Sequence, residues 1–295
     1  MTPRIAIVGA GGRLGAALLR EYARGGEAVG FTRQQLDLTD SARVRDTLGG
    51  LSFDVLINCV AQTNVDRCET HPDEAFQLNA EAPRALAEIC TRKGARLVHI
   101  STDYVFDGEK PAPYAEEDAA KPISVYGESK RAGEERVLEV SDRHLVARVS
   151  WVFGPDRPSF IDWAMQQARE HEHVEAISDK LSTPSYTLDL ADMLGRLMSH
   201  DDAAGIYHVT NSGMCAWQEY AQHAIDCCIA EGIAVRARNV APVPLASMAR
   251  FIARRPLYTI LSTARYTALS GHTPRHWQDA VADYVRSYIV AHRQA

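Results

Sequence analysis

An apolar run from Arg4 to Val8 leads directly into Gly9-Ala10-Gly11-Gly12-Arg13-Leu14-Gly15, and a helix is predicted from there to about Arg24. Few local patterns restrict a fold as much as a strand, a glycine-spaced turn and a helix in immediate succession. Glycines at 9, 12 and 15 permit a tight turn, a close backbone approach to a pyrophosphate, and close packing of helix on strand. The helix amino terminus adds free N–H groups and the positive end of its dipole, both suited to phosphate. A merely flexible glycine loop would not need the strand before it and the helix after it. Gly9, Gly11, Gly12, Arg13, Leu14 and Gly15 are therefore candidate contacts to a dinucleotide.

Further strands are predicted at Ala28 to Thr32, Asp54 to Cys59, Arg96 to Ile100 and Leu145 to Ser150, with helices from Pro72 to about Ala80 and from about Ala82 to Lys93 between them. Such β-α alternation predicts an α/β fold: a Rossmann-type doubly wound parallel sheet. After about Pro155 the pattern becomes mixed. Phe160 to His171 and Trp217 to Gly232 read as helices, Val174 to Ile177 as a short strand, and Gly205 to Thr210 as one more strand of the main sheet. The stretch 239–274 has weak periodicity, and a last helix is expected from Trp277 to His292. Residues 1–155, with the strand returning near 205–210, are expected to form an NAD(P)-binding Rossmann domain. Residues 156–295 should make up most of a smaller, discontinuous substrate-binding lobe.

The end of the second strand bears on the cofactor. A unit selective for NAD usually carries an acid there to hold the ribose 2′-hydroxyl. This chain has Thr32-Arg33, and a guanidinium favours a 2′-phosphate, so NADPH is expected, with NADH as the second candidate. The alternative is that Arg33 is simply solvated. Asp37 and Leu38 are expected beside the adenine or its ribose. Small residues in Val60-Ala61-Gln62-Thr63, after the third strand, would let the middle of the cofactor lie against the sheet edge, which makes Val60, Ala61 and Thr63 candidates.

Ser101-Thr102-Asp103-Tyr104 follows the strand at Arg96 and should sit at its carboxyl end, the edge where open α/β sheets bind ligands. Tyr126 and Lys130, on a helix predicted over 123–137, are four residues apart and share one face. A phenol ordinarily titrates near 10. A neighbouring ammonium is expected to lower that value and let Tyr126 exchange a proton with a carbonyl or alcohol. Thr102 supplies a hydroxyl for the same oxygen. Given a bound hydride donor, Thr102, Tyr126 and Lys130 make a carbonyl-reduction site. Trp151, after the strand at Leu145, either stacks on a substrate ring or packs in the core.

Composition removes other classes. A net charge of −6 and a pI near 6.0 give no electrostatic reason for nucleic acid. The amino terminus enters a strand at once, with no leader, and no apolar run is long enough to span a bilayer. Of the six cysteines none forms a C-x-x-C pair, so buried thiols in a reducing cytoplasm are favoured over metal or redox use.

In order along the chain stand the three glycines, Asn58-x-x-Ala61-x-Thr63-x-Val65-Asp66-x-x-Glu69, the signature Ser101-Thr102-Asp103-Tyr104-Val105-Phe106-Asp107-Gly108, Tyr126-Gly127-Glu128-Ser129-Lys130, Ser150-Trp151-Val152, and Ala253-Arg254-Arg255-Pro256 with Leu261. Over nearly its whole length the chain resembles the extended short-chain dehydrogenase/reductase superfamily, and within it the dTDP-4-dehydrorhamnose reductases. That resemblance implies an NADPH-dependent reductase of a nucleotide-diphosphate 4-keto-6-deoxy sugar in carbohydrate biosynthesis, with a homodimer as the family's assembly. It implies that Tyr126 donates the proton, that Lys130 binds the nicotinamide ribose and tunes Tyr126, and that Thr102 bonds the sugar carbonyl. Asp103, Tyr104, Trp151 and Arg255 would line the sugar-nucleotide side.

The chain departs from the family pattern at Ser159-Phe160 (Asn before Phe in the family), at Asp179-Lys180-Leu181-Ser182-Thr183-Pro184-Ser185 (Asp-x-x-Gly-x-Pro-Thr), and at Tyr258-Thr259 (Asn-Ser). These changes bear on the sugar and the nucleotide rather than on the reaction. Ala17 stands where some members carry a metal-binding glutamate, so no metal site is expected. Two other readings compete: a non-catalytic NADP-binding regulatory subunit, like that of methionine adenosyltransferase, and a nucleotide-sugar epimerase.

Overall fold

Runs that are buried at every position and apolar or nearly so, such as Ile5–Val8 and Val55–Asn58, have both faces covered and so belong inside a parallel sheet. In the computed structural model, which describes residues 3–290, they do. The first part of the chain runs β1 (Ile5–Val8), α1 (Arg13–Gly25), β2 (Ala28–Phe31), α2 (Ser41–Gly50), β3 (Val55–Asn58), α3 (Val65–Thr70), α4 (Pro72–Phe76), α5 (Ala82–Lys93), β4 (Arg96–Thr102), α6 (Val125–Val140) and β5 (Leu145–Val149). Gln77–Glu81 is a π-helical turn joining α4 to α5, so two helices predicted as separate form one run.

The second part runs β6 (Val152–Phe153), α7 (Phe160–Glu170), β7 (Val174–Ile177), β8 (Leu181–Ser182), β9 (Ser185–Tyr186), α8 (Thr187–Ser199), β10 (Gly205–His208), β11 (Cys215–Ala216), α9 (Trp217–Ala230), β12 (Val240–Val243), α10 (Ala264–Ser270) and α11 (Trp277–Tyr284). Strand β10 returns to the main sheet, as expected. The six strands lie in the order β2-β1-β3-β4-β5-β10, all parallel. Along β1 the side chains alternate: Ile5 and Ile7 join Leu14, Leu18, Leu190 and Leu194 on one face, while Ala6 and Val8 join Leu48, Leu86 and Val137 on the other.

Strand order reverses between β1 and β3, and a crevice must open there at the carboxyl edge. The glycines tighten it. Gly9 has φ +82°, and a Cβ on Gly15 would stand 2.3 Å from the Gly9 carbonyl oxygen, so α1 can start this close to β1 only without that atom.

Beyond β5 the remaining strands pair two by two: β6 with β9, β7 with β12, and β8 with β11. An aromatic core of Phe153, Tyr186, Tyr220, Trp277 and Tyr284 packs this part. Within 239–274, where periodicity is weak, β12 and α10 nevertheless form. Val-Ala-Pro-Val has its partner in β7, and Pro242 is tolerated because β12 has a strand on one side only. Helix α11 continues as a π-helical segment, Val285–Val290; the expected end at His292 lies outside the described residues. No described helix is long and apolar enough to cross a membrane. None of the six cysteines, all of them among the described residues, is in a disulfide.

Candidate active site

Strand β4 extends through Thr102, which then starts a 3-10 turn, Asp103–Val105, its Oγ1 accepting the Tyr104 N–H at 3.2 Å. Helix α6 is brought to the same place by three contacts. Ser124 caps it, Glu69 accepts the Val125 N–H at 2.8 Å, and Gly127 lies so close to the Tyr104 carbonyl that a Cβ would stand 2.2 Å from that oxygen. Tyr126 is therefore held against Tyr104, ring edge to face, with centroids 5.5 Å apart.

A cleft of about 400 Å³ is lined by Gly12, Arg13, Leu14, Ala61, Thr63, Thr102, Asp103, Tyr104, Tyr126, Lys130 and Trp151. A second cavity of about 780 Å³ is lined by Gly9, Gly11, Gly12, Thr32, Arg33, Asp37, Leu38, Val60 and Ala61. The two share Gly12, Cys59 and Ala61 and form one groove over the switch point. The fold thus gathers these residues from six separate stretches of sequence. Its dimensions, glycine floor and open helix amino terminus fit a dinucleotide along the first cavity with its reactive end in the cleft.

The phenol departs from expectation. Burial pushes the Tyr126 hydroxyl above its ordinary value, and the lowering influence is a hydrogen bond with Thr102 rather than Lys130. The Lys130 ammonium is committed elsewhere: it donates to the Ile100 carbonyl at 2.7 Å and lies 3.3 Å from His99 Nε2. Burial pulls Lys130 down to about 8, against the opposing pull of Glu134. His99, itself pushed well below the usual histidine range by burial and by Lys130, is bonded on its other nitrogen to Asn58. The four-residue spacing brings the two side chains into one cleft, but the desolvated phenol gains no direct ammonium contact.

Other predicted residues hold different positions. Arg255 does not line the cleft: it makes a two-pronged ion pair with Asp66, at 3.1 and 2.9 Å, and stacks 3.7 Å over Phe251. Arg13 turns its guanidinium to the carbonyls of Val152, Arg157 and Pro158, tying the glycine turn to the second part of the chain. Gly15 serves helix packing and lines neither cavity. Arg33 is 78% exposed at the rim and pairs with Asp37 at 3.3 Å. Asp37 is held low chiefly by the Thr39 N–H, with Arg33 adding to it, so its oxygens already have partners.

Trp151 has φ +38°, a left-handed backbone for a bulky side chain. Its ring packs on Trp217 and Tyr220, and its indole N–H has no hydrogen-bond partner among the described residues. Trp151 thus lines the cleft while its ring packs against other aromatics. Sequence reasoning missed Arg157, which reaches the Gly11 carbonyl at 3.0 Å and lines the larger cavity. It also missed His99 and Lys180, each buried and carrying no local motif.

Trp217 also borders a third cavity of about 710 Å³, lined by Phe160, Trp163, Ile177 and Met248 together with Glu175 and Arg250. Trp217 packs on Trp151 of the cleft wall, with ring centroids 5.6 Å apart.

Comparison with known proteins agrees with this geometry. Residues 3–290 match the family described as RmlD substrate binding domain. The chain is 37% identical to dTDP-4-dehydrorhamnose reductase of Mycobacterium tuberculosis (strain ATCC 25618 / H37Rv) over 286 residues, 95% of this chain and 91% of that one. It is 35% identical to the spore coat polysaccharide biosynthesis protein SpsK of Bacillus subtilis (strain 168), over 96% of this chain and 97% of that one. Among solved structures it superposes on dTDP-4-dehydrorhamnose reductase from Bacillus anthracis str. Ames in complex with NADP, with a TM-score of 0.90 and 31% identity, covering 97% of this chain and all of that one.

Proposed function

Since the chain belongs to the RmlD substrate binding domain family, we propose that it is an NADPH-dependent reductase of a dTDP-linked 4-keto-6-deoxy sugar, with Tyr126 as the proton donor. It is an oxidoreductase; its relatives are named keto-sugar reductases, and they favour this reading over a regulatory subunit or an epimerase. The observation that carries the proposal is the continuous groove that puts Thr102 and Tyr126 at the end of a glycine-floored dinucleotide cavity. Residues 1–155 with β10 form the cofactor side in this reading, and most of 156–295 the substrate side.

NADPH, when bound, supplies the hydride that adds to C4 of the sugar while the carbonyl electron pair moves onto oxygen. The amino terminus of α1 and the backbone of Gly9 to Gly12 would hold the pyrophosphate, and Arg33 at the rim would hold the 2′-phosphate. Lys130, fixed by Ile100, meets the ribose. Thr102 bonds the sugar oxygen, and Tyr126 transfers its proton there, leaving an alcohol. A raised phenol pKa keeps Tyr126 protonated at neutral pH, which is the state a reductase needs in the forward direction. The aromatic cavity beside Trp217 takes the base of the sugar nucleotide by stacking.

The test is turnover of a panel of nucleotide-linked 4-keto sugars, followed by loss of nicotinamide absorbance. Tyr126→Phe should lower kcat by at least about a hundredfold with NADPH affinity nearly kept. Retained turnover would exclude Tyr126 as the acid.

A further inference from the structure

The loop after β6 carries Arg157 and is held down on the glycine turn by arginines of α1. Arg13 donates to the carbonyls of Val152 and Arg157, each at 3.1 Å, and to that of Pro158. Two turns further along α1, Arg20 pairs with Asp156. With the loop fixed in this way, the Arg157 side chain is not needed as an anchor. Its Nε donates to the Gly11 carbonyl at 3.0 Å, and both terminal nitrogens are without a hydrogen bond among the described residues.

Position decides what those nitrogens can meet. The glycine turn is bonded to the end of β2, where the Gly9 and Ala10 N–H groups both donate to the Phe31 carbonyl, at 2.9 and 3.0 Å. Gly11 abuts Thr32: a Cβ on it would stand 3.4 Å from Thr32 Cγ2. Arg157 is therefore beside the end of the second strand, where a dinucleotide fold reads the adenosine ribose. It lines the larger cavity together with Thr32, Arg33 and Gln34, and has no part in the wall of the cleft that holds Thr102 and Tyr126.

The charges in that wall are unbalanced. Arg33 and Arg157 stand against a single carboxylate, Asp37, which already accepts from the Thr39 N–H, the Thr39 hydroxyl and Arg33. Two guanidiniums bordering one cavity repel each other until an anion joins them. A phosphate monoester carries about two negative charges and three acceptor oxygens, enough for both. Each arginine is exposed and by itself would make a weak, salt-screened contact; gripping one phosphate together, they form a network.

We propose that Arg157 is a cofactor-specificity residue: reaching over from the second part of the chain, it joins Arg33 on the adenosine 2′-phosphate, so that two arginines share the discrimination of NADPH from NADH. The inference rests on the NADPH reading given above and deepens it.

The experiment is direct binding, without turnover. NADPH and NADH are titrated into the full chain and followed by nicotinamide fluorescence, with adenosine 2′,5′-bisphosphate and ADP as competitors. Arg157→Ala should raise the NADPH Kd by about tenfold or more, the size of one lost hydrogen bond to a charged group, and weaken adenosine 2′,5′-bisphosphate with it. NADH and ADP, which lack the 2′-phosphate, should change by less than about twofold. Arg157→Gln keeps an N–H for the Gly11 carbonyl without the charge and should behave as Arg157→Ala does. The double variant Arg33→Ala/Arg157→Ala should bind NADPH no better than NADH. Unchanged NADPH binding in Arg157→Ala, equal weakening of both cofactors, or parental NADPH affinity in Arg157→Gln overturns the inference. A parent chain that binds NADH as tightly as NADPH would instead remove its premise.

Discussion

Ser101 and Thr102 are neighbours at the end of β4, they project to opposite faces of the strand, and each gives a hydroxyl to a buried carboxylate. On the Ser101 side, Glu134 is closed in completely. Ser101 Oγ donates to Oε1 at 2.6 Å, and Arg148 answers with both prongs, Nε to Oε1 at 2.8 Å and Nη2 to Oε2 at 2.7 Å. The pair ties α6 to β5, with the Arg148 guanidinium lying over the Phe106 ring. On the Thr102 side, Asp103 is held by three hydroxyls, which rotate. A planar fork on a carboxylate fixes geometry and suits a structural clamp. Rotatable donors around a carboxylate let one of them change partner without leaving the charge bare, which suits a site where a proton moves.

The comparison predicts different losses on the two sides. Arg148→Met leaves the buried Glu134 with only the longer Arg131 contact at 3.2 Å and should cost about 3–5 kcal/mol in denaturant unfolding. Thr259→Val takes one of three hydroxyls from Asp103 and should cost about 1.5–3 kcal/mol in the same measurement; a loss equal to that of Arg148→Met would erase the distinction. Ser101→Ala removes one bond to a carboxylate that the Arg148 fork still satisfies, so about 1.5–3 kcal/mol should be lost, read from the same unfolding curves. A value near zero would mean that the fork alone holds Glu134.

The smallest net effect at neutral pH is expected at Lys130, between the two clusters. Its pKa is about 8 when folded against 10.5 when exposed, so the unfolded chain binds more protons between those values. Stability contributed by this group therefore rises with pH across that window; below about 8 its burial is unfavourable in full. Lys130→Met should flatten the rise, measured as the difference in unfolding free energy between parent and variant at successive pH values. An unchanged slope would show that the ammonium is not desolvated.

Much of the first part of the chain could be read residue by residue. Strand runs, helix faces and the glycine turn are encoded within a few neighbours, and β1 to β5 fall within a residue or two of their predicted bounds. Candidate residues such as Gly12, Ala61, Thr102 and Tyr126 line the groove because each sits at a strand end or on a helix face set by that local pattern. Arg255 differs for the opposite reason: a motif can mark a residue, but its ion-pair partner Asp66 is 189 positions away. Likewise β12 had no periodicity to show, since its order comes from β7.

Local spacing was enough to establish a parallel α/β sheet, a dinucleotide crevice, and a tyrosine and a lysine on one helical face. Packing decided the electrostatics. Whether a phenol is raised or lowered depends on how much water is excluded around it and on which donors arrive from elsewhere. Asp103 receives Ser182 and Thr259 from 79 and 156 residues downstream. Desolvation belongs to the assembled interior, and no window along the chain contains it.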